Sequence, residues 1–586
     1  MKKYQKAARE IEKLKAQLKN TENSVANSKD SNLWNHESSV RKRIKLLKGL
    51  GEKTIKDYIT VYNGYLKLLD TISVRLLSYY NKKNGTHYEF EEIVKTDRNG
   101  YVSSGIISVL ITSHIPRLIA DDFTKYFPAN PKDEYEKARS MSRKFVLHLG
   151  ETNTGKTYRA VERLKQAGKG VYLAPLRILA LENFEKLNKE GVPCHLITGE
   201  EEILIKDAKH ICSTIEKLDI DKEYDVAVID EIQMIASSQR GQAWTRALLG
   251  IRCGEVHICG AINTKELIIN ILTDCGDTFE IIEYKRQTPL VVIDEPFTLK
   301  DTVDGDALVA FSKKRVLELS KYFLDNNIKN SVIYGDLPPE VRRMQYKSFI
   351  SGESKILITT DAIGMGVNLP IRRIIFMNLQ KFDGEEIRYL TSQEVKQIGG
   401  RAGRNGIYDI GYVGSVSEGP HFLRENLEMK DEMLSQAVLG PSEAILKIKG
   451  LPLSEKLALW STRQEKLRSY RKMDIRDYLL VLENIKQFRL SEAVEYKLMK
   501  LPFDVNDLEI LQCFLSFVEE YFKRTHGRIS KPVAQGNMLS DLERYYQMLN
   551  LYYSFSKNFG IEFDPNWVYE ERGRVSVKIN KLLLKL

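Results

Sequence analysis

Residues 144–158 read Lys-Phe-Val-Leu-His-Leu-Gly-Glu-Thr-Asn-Thr-Gly-Lys-Thr-Tyr. The apolar run Phe145–Leu149 predicts a buried strand, and the following Arg159-Ala-Val-Glu-Arg-Leu predicts a helix. Between them Gly150, Gly155, Lys156 and Thr157 spell G-x-x-x-x-G-K-T. Strand, glycine-bearing loop and helix, in that order, is the setting of a phosphate-binding loop. Glycines let successive N–H groups of Gly150, Glu151, Thr152, Asn153, Thr154 and Gly155 curl round a phosphate, and the helix N-terminus adds partial positive charge. Lys156 is placed to reach the β- and γ-phosphates of ATP, and the Thr157 hydroxyl to ligate Mg²⁺.

Working outward, short β-branched runs alternate with helical stretches: Phe145–Leu149, Gly170–Ala174, Cys194–Thr198, His210–Ser213, Tyr224–Asp230 and Val256–Gly260. A second series follows at Leu290–Ile293, Ala307–Ser312, Ser331–Tyr334, Lys355–Thr359, Arg373–Met377 and Gly411–Ser415. Strands alternating with helices predict parallel sheets with crossover helices, hence two consecutive α/β domains, of which only the first has a phosphate loop. Residues 40–127 and the last 145 or so carry helical periodicity, with Trp460 in the apolar stripe of Leu453–Leu467. Phe127-Pro-Ala-Asn-Pro131 marks a boundary. The domains expected are a basic helical arm and linker (1–39), an N-terminal helical domain (40–135), two α/β domains (136–288 and 289–440) and a C-terminal helical domain (441–586). Tyr58, Tyr62 and Tyr65 at i, i+4 and i+7 form a stripe that either stacks bases or, as the better reading, faces a core.

At 586 residues the chain is too long for one core. Of its net charge of +10, about +8 lies in residues 1–50, which hold thirteen Lys/Arg against five acids. That arm is either an electrostatic foot on nucleic acid or a solvated helix. The six cysteines show no zinc spacing and read as reduced thiols. No apolar run of membrane-spanning length exists, so no membrane partner is expected. The Lys-rich start, interrupted by Glu10, Glu12 and Glu22, argues against a transit peptide, and the expected location is the cytoplasm.

Tyr224-Asp-Val-Ala-Val-Ile-Asp-Glu-Ile-Gln233 is a buried strand ending in two acids that would face the phosphate loop. Asp230 suits Mg²⁺, and Glu231 suits the attacking water. Thr359-Thr360-Asp361 ends another strand before the glycine turn of Gly364 and Gly366. Gln397-Ile-Gly-Gly-Arg-Ala-Gly-Arg404 sets Arg401 and Arg404 three apart, so that one helix face presents both. An arginine at a γ-phosphate stabilises transition-state charge. With the loop in one domain and the arginines in the other, ATP would sit between the two and hold them together.

These segments resemble motifs I, II, V and VI of superfamily 2 helicases. Ala174-Pro-Leu-Arg177, Thr198-Gly-Glu-Glu201, Ala243-Trp-Thr-Arg-Ala-Leu-Leu-Gly250, Tyr284-Lys-Arg286, Val309-Ala-Phe-Ser312 and Val332-Ile-Tyr-Gly-Asp-Leu-Pro-Pro339 are similar to the helicase of the mitochondrial degradosome, the suppressor-of-Var type. The resemblance covers about residues 140–420 and implies two tandem RecA-like domains, ATP and Mg²⁺ as cofactors, and an ATP-dependent RNA helicase of 3′-to-5′ polarity acting in RNA turnover; the chain is expected to act as a monomer. It assigns Glu231, Gln397, Arg401 and Arg404 to catalysis, and Asp361, Gly364 and Gly366 to the nucleotide. It assigns Pro175, Arg177, Thr198, Gly199 and Thr214 to one strand's phosphates from the first domain, and Phe311, Ser312, Lys313 and Thr360 from the second. Family members work with exoribonucleases, although no docking segment is identifiable here. Motif II ends in Gln233, and the coupling segment reads His257-Ile-Cys-Gly-Ala-Ile-Asn263, so the coupling residues stay open. The family's long eukaryotic targeting segment is absent, which favours a bacterial or viral relative. Two other functions remain: a DNA helicase or translocase with the same motor, and an RNA-binding scaffold without turnover.

Overall fold

The computed structural model describes residues 2–50, 55–364, 369–384, 386–404, 406–416, 419–463, 467–524 and 527–585. They form two compact units: Met1–Phe127 with Lys447–Leu451, and Pro128–Leu446 with Pro452–Leu586.

In the first unit, helices Lys2–Ala26, Leu33–Leu50 and Tyr58–Asn84 close round Ile11, Leu14, Val40, Ile44, Leu69 and Ile72, each at most 2% exposed. The basic segment is therefore no free arm: its apolar stripe is core, while Lys13, Lys15 and Lys19 are exposed. Residues 21–39, expected to be a linker, are helical through Ala26 and again from Leu33, because Val25 and Leu33 also bury. The tyrosine stripe is largely core. Tyr58 and Tyr65 are buried and donate their hydroxyls to the carbonyls of Leu47 at 3.0 Å and Leu14 at 2.8 Å.

The second unit holds both α/β domains. In chain order, β1 (Lys144–Gly150), β2 (Gly170–Ala174), β3 (Cys194–Ile197), β4 (Glu202–Ile203), β5 (His210–Thr214), β6 (Glu223–Ile229), β7 (Arg252–Gly260) and β8 (Thr278–Tyr284) make one sheet. Its order is β4-β3-β5-β2-β6-β7-β1-β8, parallel except for the β3–β4 pair. Strands covered on both faces read as continuous apolar runs, which is why β1, β2 and β6 were legible. β4 and β8 were not: the sequence expected neither, and β8 is a half-exposed edge strand mixing Thr, Glu and Ile.

β9 (Leu290–Val292), β10 (Asp306–Val309), β11 (Asn330–Ile333), β12 (Ile356–Thr359) and β13 (Arg373–Phe376) begin the second sheet. A small hairpin, β14 (Gln380–Phe382) with β15 (Ile387–Tyr389), precedes its last strand, β16 (Gly411–Ser415). The order β11-β12-β10-β13-β16-β9 is parallel throughout. The fold class is thus two parallel-sheet domains with helical regions before and after, as expected.

Two expected boundaries shift. Residues 128–135 group with the first α/β domain rather than with the N-terminal helices: Tyr135 packs on that domain's core, and the following Arg139 donates its Nη2 to the Leu249 carbonyl at 2.9 Å. Leu434–Leu439 also returns to the first domain, where Leu434 N–H donates to the Asn263 carbonyl at 2.9 Å and Ala437 joins the core. The helices Leu539–Phe559 and Pro565–Leu583 instead complete the second domain's core through Leu542, Tyr545, Tyr546, Leu549, Val575 and Ile579.

Candidate functional site

The phosphate loop leaves β1 at Gly150 and enters the helix Lys156–Lys165. A Cβ on Gly150 would lie 2.1 Å from the Tyr284 carbonyl oxygen, so only glycine lets the loop start this close to the end of β8. Asn153 (φ 63°) and Gly155 (φ 81°) take left-handed backbone, which turns the loop back over itself. Lys156 Nζ donates to the Gly150 carbonyl at 3.0 Å and also to the Glu151 carbonyl. Burial lowers the Lys156 pKa; the carboxylates of Glu231 and Asp230 oppose this, and the charge of Arg401 adds to it.

At the end of β6, the buried Asp230 carboxylate accepts Thr157 Oγ1 at 3.0 Å and Tyr172 OH at 2.8 Å. The Glu231 N–H donates to the same carboxylate at 3.0 Å. Burial and the neighbouring Glu231 push the Asp230 carboxyl up to about 6. Trp244 Nε1 donates to the Asp230 carbonyl at 2.9 Å, which fixes the backbone from below. Glu231 itself sits at φ 51°, a strained position for a residue with a Cβ, and one that turns its side chain out of the strand. One carboxylate and one hydroxyl side by side fit Mg²⁺, which takes few protein donors and completes its shell with phosphate oxygens and water. Among the described residues, no cluster of three or more His, Cys, Asp or Glu could hold a metal alone.

Gln233 bridges two of the quoted segments. Its Nε2 donates to the Glu231 carboxylate, and its Oε1 accepts the Ala261 N–H at 3.2 Å. The final residue of motif II thereby joins the candidate base to the segment His257–Asn263.

From the second domain, Gln397 lies in the helix Ser392–Gly399. Arg401 and Arg404 do not share its face, contrary to expectation. The helix ends at the Gly399-Gly400 pair, and both arginines stand in the turn beyond, where Gly403 takes φ 68°. Arg401 donates twice to the Gly364 carbonyl, at 3.2 and 2.5 Å, and Gln397 Nε2 is 3.5 Å from the same oxygen. The turn touches the phosphate loop. Asn153 Nδ2 donates to the Gly403 carbonyl at 3.4 Å, and a Cβ on Gly400 would lie 3.0 Å from Thr152 Cβ. Arg401 also faces the first domain's helix Arg177–Lys189. Burial pushes Glu182 of that helix up to about 7, against the opposing charges of Arg343 and Arg401. Asp361 pairs with Lys381 at 2.9 Å. Gly366 lies outside the described residues.

The expected strand-gripping residues gather at the C-terminal edges of the two sheets, and their cations are already engaged. Arg177, whose side chain is 9% exposed, meets Glu200 at 3.2 Å, Glu201 at 2.9 Å and Glu340 at 2.9 Å, and donates to Tyr546 OH at 3.0 Å. Lys313 pairs with Glu543 and lies 5.2 Å over the Tyr334 ring. Glu543 and Tyr546 are neighbours on the helix Leu539–Phe559. Thr198 Oγ1 accepts the Glu201 N–H at 3.0 Å, and Ser554 Oγ donates to the Gly199 carbonyl at 2.9 Å. Arg240 donates to the Pro175 carbonyl at 2.6 Å, and Thr214 ends β5. Ser312 Oγ caps the helix Lys313–Asp325 at 3.2 Å, Phe311 packs on the second core, and Thr360 Oγ1 accepts the Ala362 N–H at 3.3 Å.

The residues that the sequence left without a role are Tyr172, Trp244, Gln233 and Arg286. The last three lie in or beside segments already quoted. Tyr172 gave only the weak signal of an aromatic on the strand next to the acidic one.

Three family models match the chain: the DEXQ-box helicase domain of Suv3 at residues 131–284, the helicase conserved C-terminal domain at 292–406, and the SUV3 C-terminal domain at 539–585. The mitochondrial DExH-box ATP-dependent RNA helicase DExH16 of Arabidopsis thaliana is 38% identical over 442 residues, covering 72% of this chain and 77% of that protein. The mitochondrial ATP-dependent RNA helicase SUV3L of Oryza sativa subsp. japonica is 35% identical, covering 78% of this chain and 64% of that protein. Human mitochondrial ATP-dependent RNA helicase SUPV3L1 is 36% identical, covering 73% and 58%. The chain thus spans less than two thirds of the rice and human proteins. All three relatives are named as mitochondrial, which overturns the expected bacterial or viral cytoplasm.

Proposed function

The chain belongs to the Suv3 family of ATP-dependent RNA helicases, and on that premise we propose that it hydrolyses ATP to move 3′ to 5′ along single-stranded RNA, opening duplexes in RNA turnover. The observation that carries this reading is the contact between the phosphate loop and the arginine turn. Asn153 and Thr152 of one domain touch Gly403 and Gly400 of the other, and Arg401 sits where its charge is felt by Lys156.

In this reading the N–H groups of 150–155 and Lys156 hold the triphosphate. Thr157 and Asp230 would hold Mg²⁺, which when bound would offset the negative charge of the phosphates. Glu231, steadied by Gln233, orients the attacking water and takes its proton. Arg401 and Arg404 stabilise the charge that builds on the transferred phosphoryl group. Because Gln233 also holds the Ala261 N–H, a change at Glu231 reaches the segment that leads to Asn263, and Asn263 Nδ2 donates to the Glu432 carbonyl at 3.1 Å. Hydrolysis is thereby linked to the irregular segment around Glu432, where the chain returns from the second domain to the first.

The finer parts of the reading rest on the family: a monomer that passes unwound RNA to an exoribonuclease, in the mitochondrial compartment named for the relatives. Strand displacement on RNA and DNA duplexes with 3′ or 5′ overhangs tests substrate and polarity together. Opening of 3′-tailed RNA is expected. Preference for DNA would install the DNA motor in its place, and RNA binding without ATP turnover would install the scaffold.

A further inference from the structure

We infer that Arg286 is a positioning residue, one that locks the turn carrying Arg401 and Arg404 and ties it to the phosphate loop; this rests on the ATPase reading above. Arg286 lies in the short connection between β8 and β9, so it belongs to neither sheet. Its guanidinium is committed to main-chain carbonyls. Nε donates to Thr288 at 2.5 Å, Nη1 to Gly400 at 2.6 Å, and Nη2 to Ala402 and, at 3.4 Å, to Gly403. The carbonyls on both sides of Arg401 are therefore held by one rigid planar fork. These oxygens lie just past a helix C-terminus, where carbonyls lack intrahelical partners and a cation is favoured.

The other end of the residue faces the first domain. The Arg286 N–H donates to Glu151 Oε2 at 2.6 Å, and Glu151 belongs to the phosphate loop. One residue earlier on that loop, Gly150 lies beside Tyr284 at the end of β8, with no room for a side chain between them. The phosphate loop, the connection and the arginine turn thus form one continuous run of contacts. Alongside the direct contacts of Asn153 with Gly403 and of Thr152 with Gly400, Arg286 gives the loop a second connection to the arginine turn, its N–H on Glu151 and its guanidinium on the turn. Burial lowers the Arg286 pKa, with Glu151 opposing, so the four carbonyls and Glu151 together keep the cation in place. Arg286 touches no reacting atom; it sets where Arg401 points.

The test compares wild type, Arg286→Ala and Arg286→Lys in RNA-stimulated ATPase, in affinity for a fluorescent ADP, and in affinity for ADP with aluminium fluoride, a mimic of the transferring phosphoryl group. For Arg286→Ala the expected result is a kcat lower by about tenfold or more with the ATP KM within about threefold, because an interaction felt only in the transition state has been loosened. ADP affinity stays at the wild-type value, while the gain conferred by aluminium fluoride falls by a factor similar to that of kcat. Lysine keeps the charge but not the fork, so Arg286→Lys falls between the two, and it carries the test if the alanine variant does not fold. Wild-type kcat in the lysine and alanine variants overturns the inference, as does an equal loss of ADP and mimic affinity. A wild-type protein with no ATPase activity overturns instead the reading on which the inference rests.

Discussion

Replacing Arg177 by alanine separates two roles for the same side chain. As a pure phosphate grip its loss would weaken RNA binding and leave the fold alone. The structure instead surrounds it with Glu200 and Glu201 of the first domain, Glu340 of the second and Tyr546 of the C-terminal helix. Removing the arginine leaves three carboxylates facing one another, with Arg572 as the remaining cation: its Nη1 donates to the Glu200 carbonyl at 2.6 Å, and its charge is felt at Glu340. Breaking a buried pair by deleting one partner costs about 3–5 kcal/mol. Glu200 and Glu340 side chains keep 29% exposure and can partly rehydrate, so the lower end applies, about 3 kcal/mol. Chemical denaturation of wild type and Arg177→Ala measures the difference, and Glu340→Gln in the Arg177→Ala background should recover part of it by removing one stranded charge. Denaturation of Arg177→Ala at the wild-type midpoint, with RNA affinity lost, would refute the cluster as a structural hub.

Tyr172→Phe removes one of the donors that hold Asp230. We expect kcat to fall several-fold and the Mg²⁺ requirement to rise, with a stability change of about 1 kcal/mol, read by a magnesium titration of the ATPase rate. The chain from Tyr284 OH through His148 and His257 to Glu255, each link 2.8 Å, is satisfied when both imidazoles are neutral. Burial, then the charge of His257, lowers the His148 pKa to about 4. A depressed folded value means the unfolded chain binds more protons, so this stability is whole above about pH 6.5 and lost as pH falls through about 4, on the order of 3 kcal/mol in all. His148→Phe should flatten the dependence of the denaturation midpoint on pH in that window, and an unchanged slope would exclude His148 as its source. Changing the exposed Lys13, Lys19, Lys42, Lys45 and Lys48 to glutamine should shallow the salt dependence of RNA affinity without unfolding the first unit, as deletion of the packed helices would. An identical slope would make that face a solvated surface.

The phosphate loop and the acid pair were legible because their chemistry lies in contiguous residues and their strands are uniformly apolar. The arginine turn was legible in composition but not in shape, since two adjacent glycines end the helix before Arg401. The apolar stripe of the first helix was legible among its lysines, but not that its Ile11 and Leu14 bury in a core of this same chain. The engagement of Arg177 could not be read at all. Its tyrosine partner is 369 positions away, and nothing local to either residue announces the other. The same holds for Arg286, whose meaning comes from carbonyls more than a hundred residues along the chain.

If ATP is hydrolysed between the two α/β domains, both must act at once, Lys156 from one and Arg401 from the other. The most direct test is the single-turnover rate of ATP hydrolysis at saturating single-stranded RNA for wild type, Lys156→Ala and Arg401→Ala. The rate should be stimulated by RNA in the wild type and fall by about a hundredfold or more in each variant, with ATP still bound by Arg401→Ala. Wild-type hydrolysis in Arg401→Ala would contradict that joint requirement.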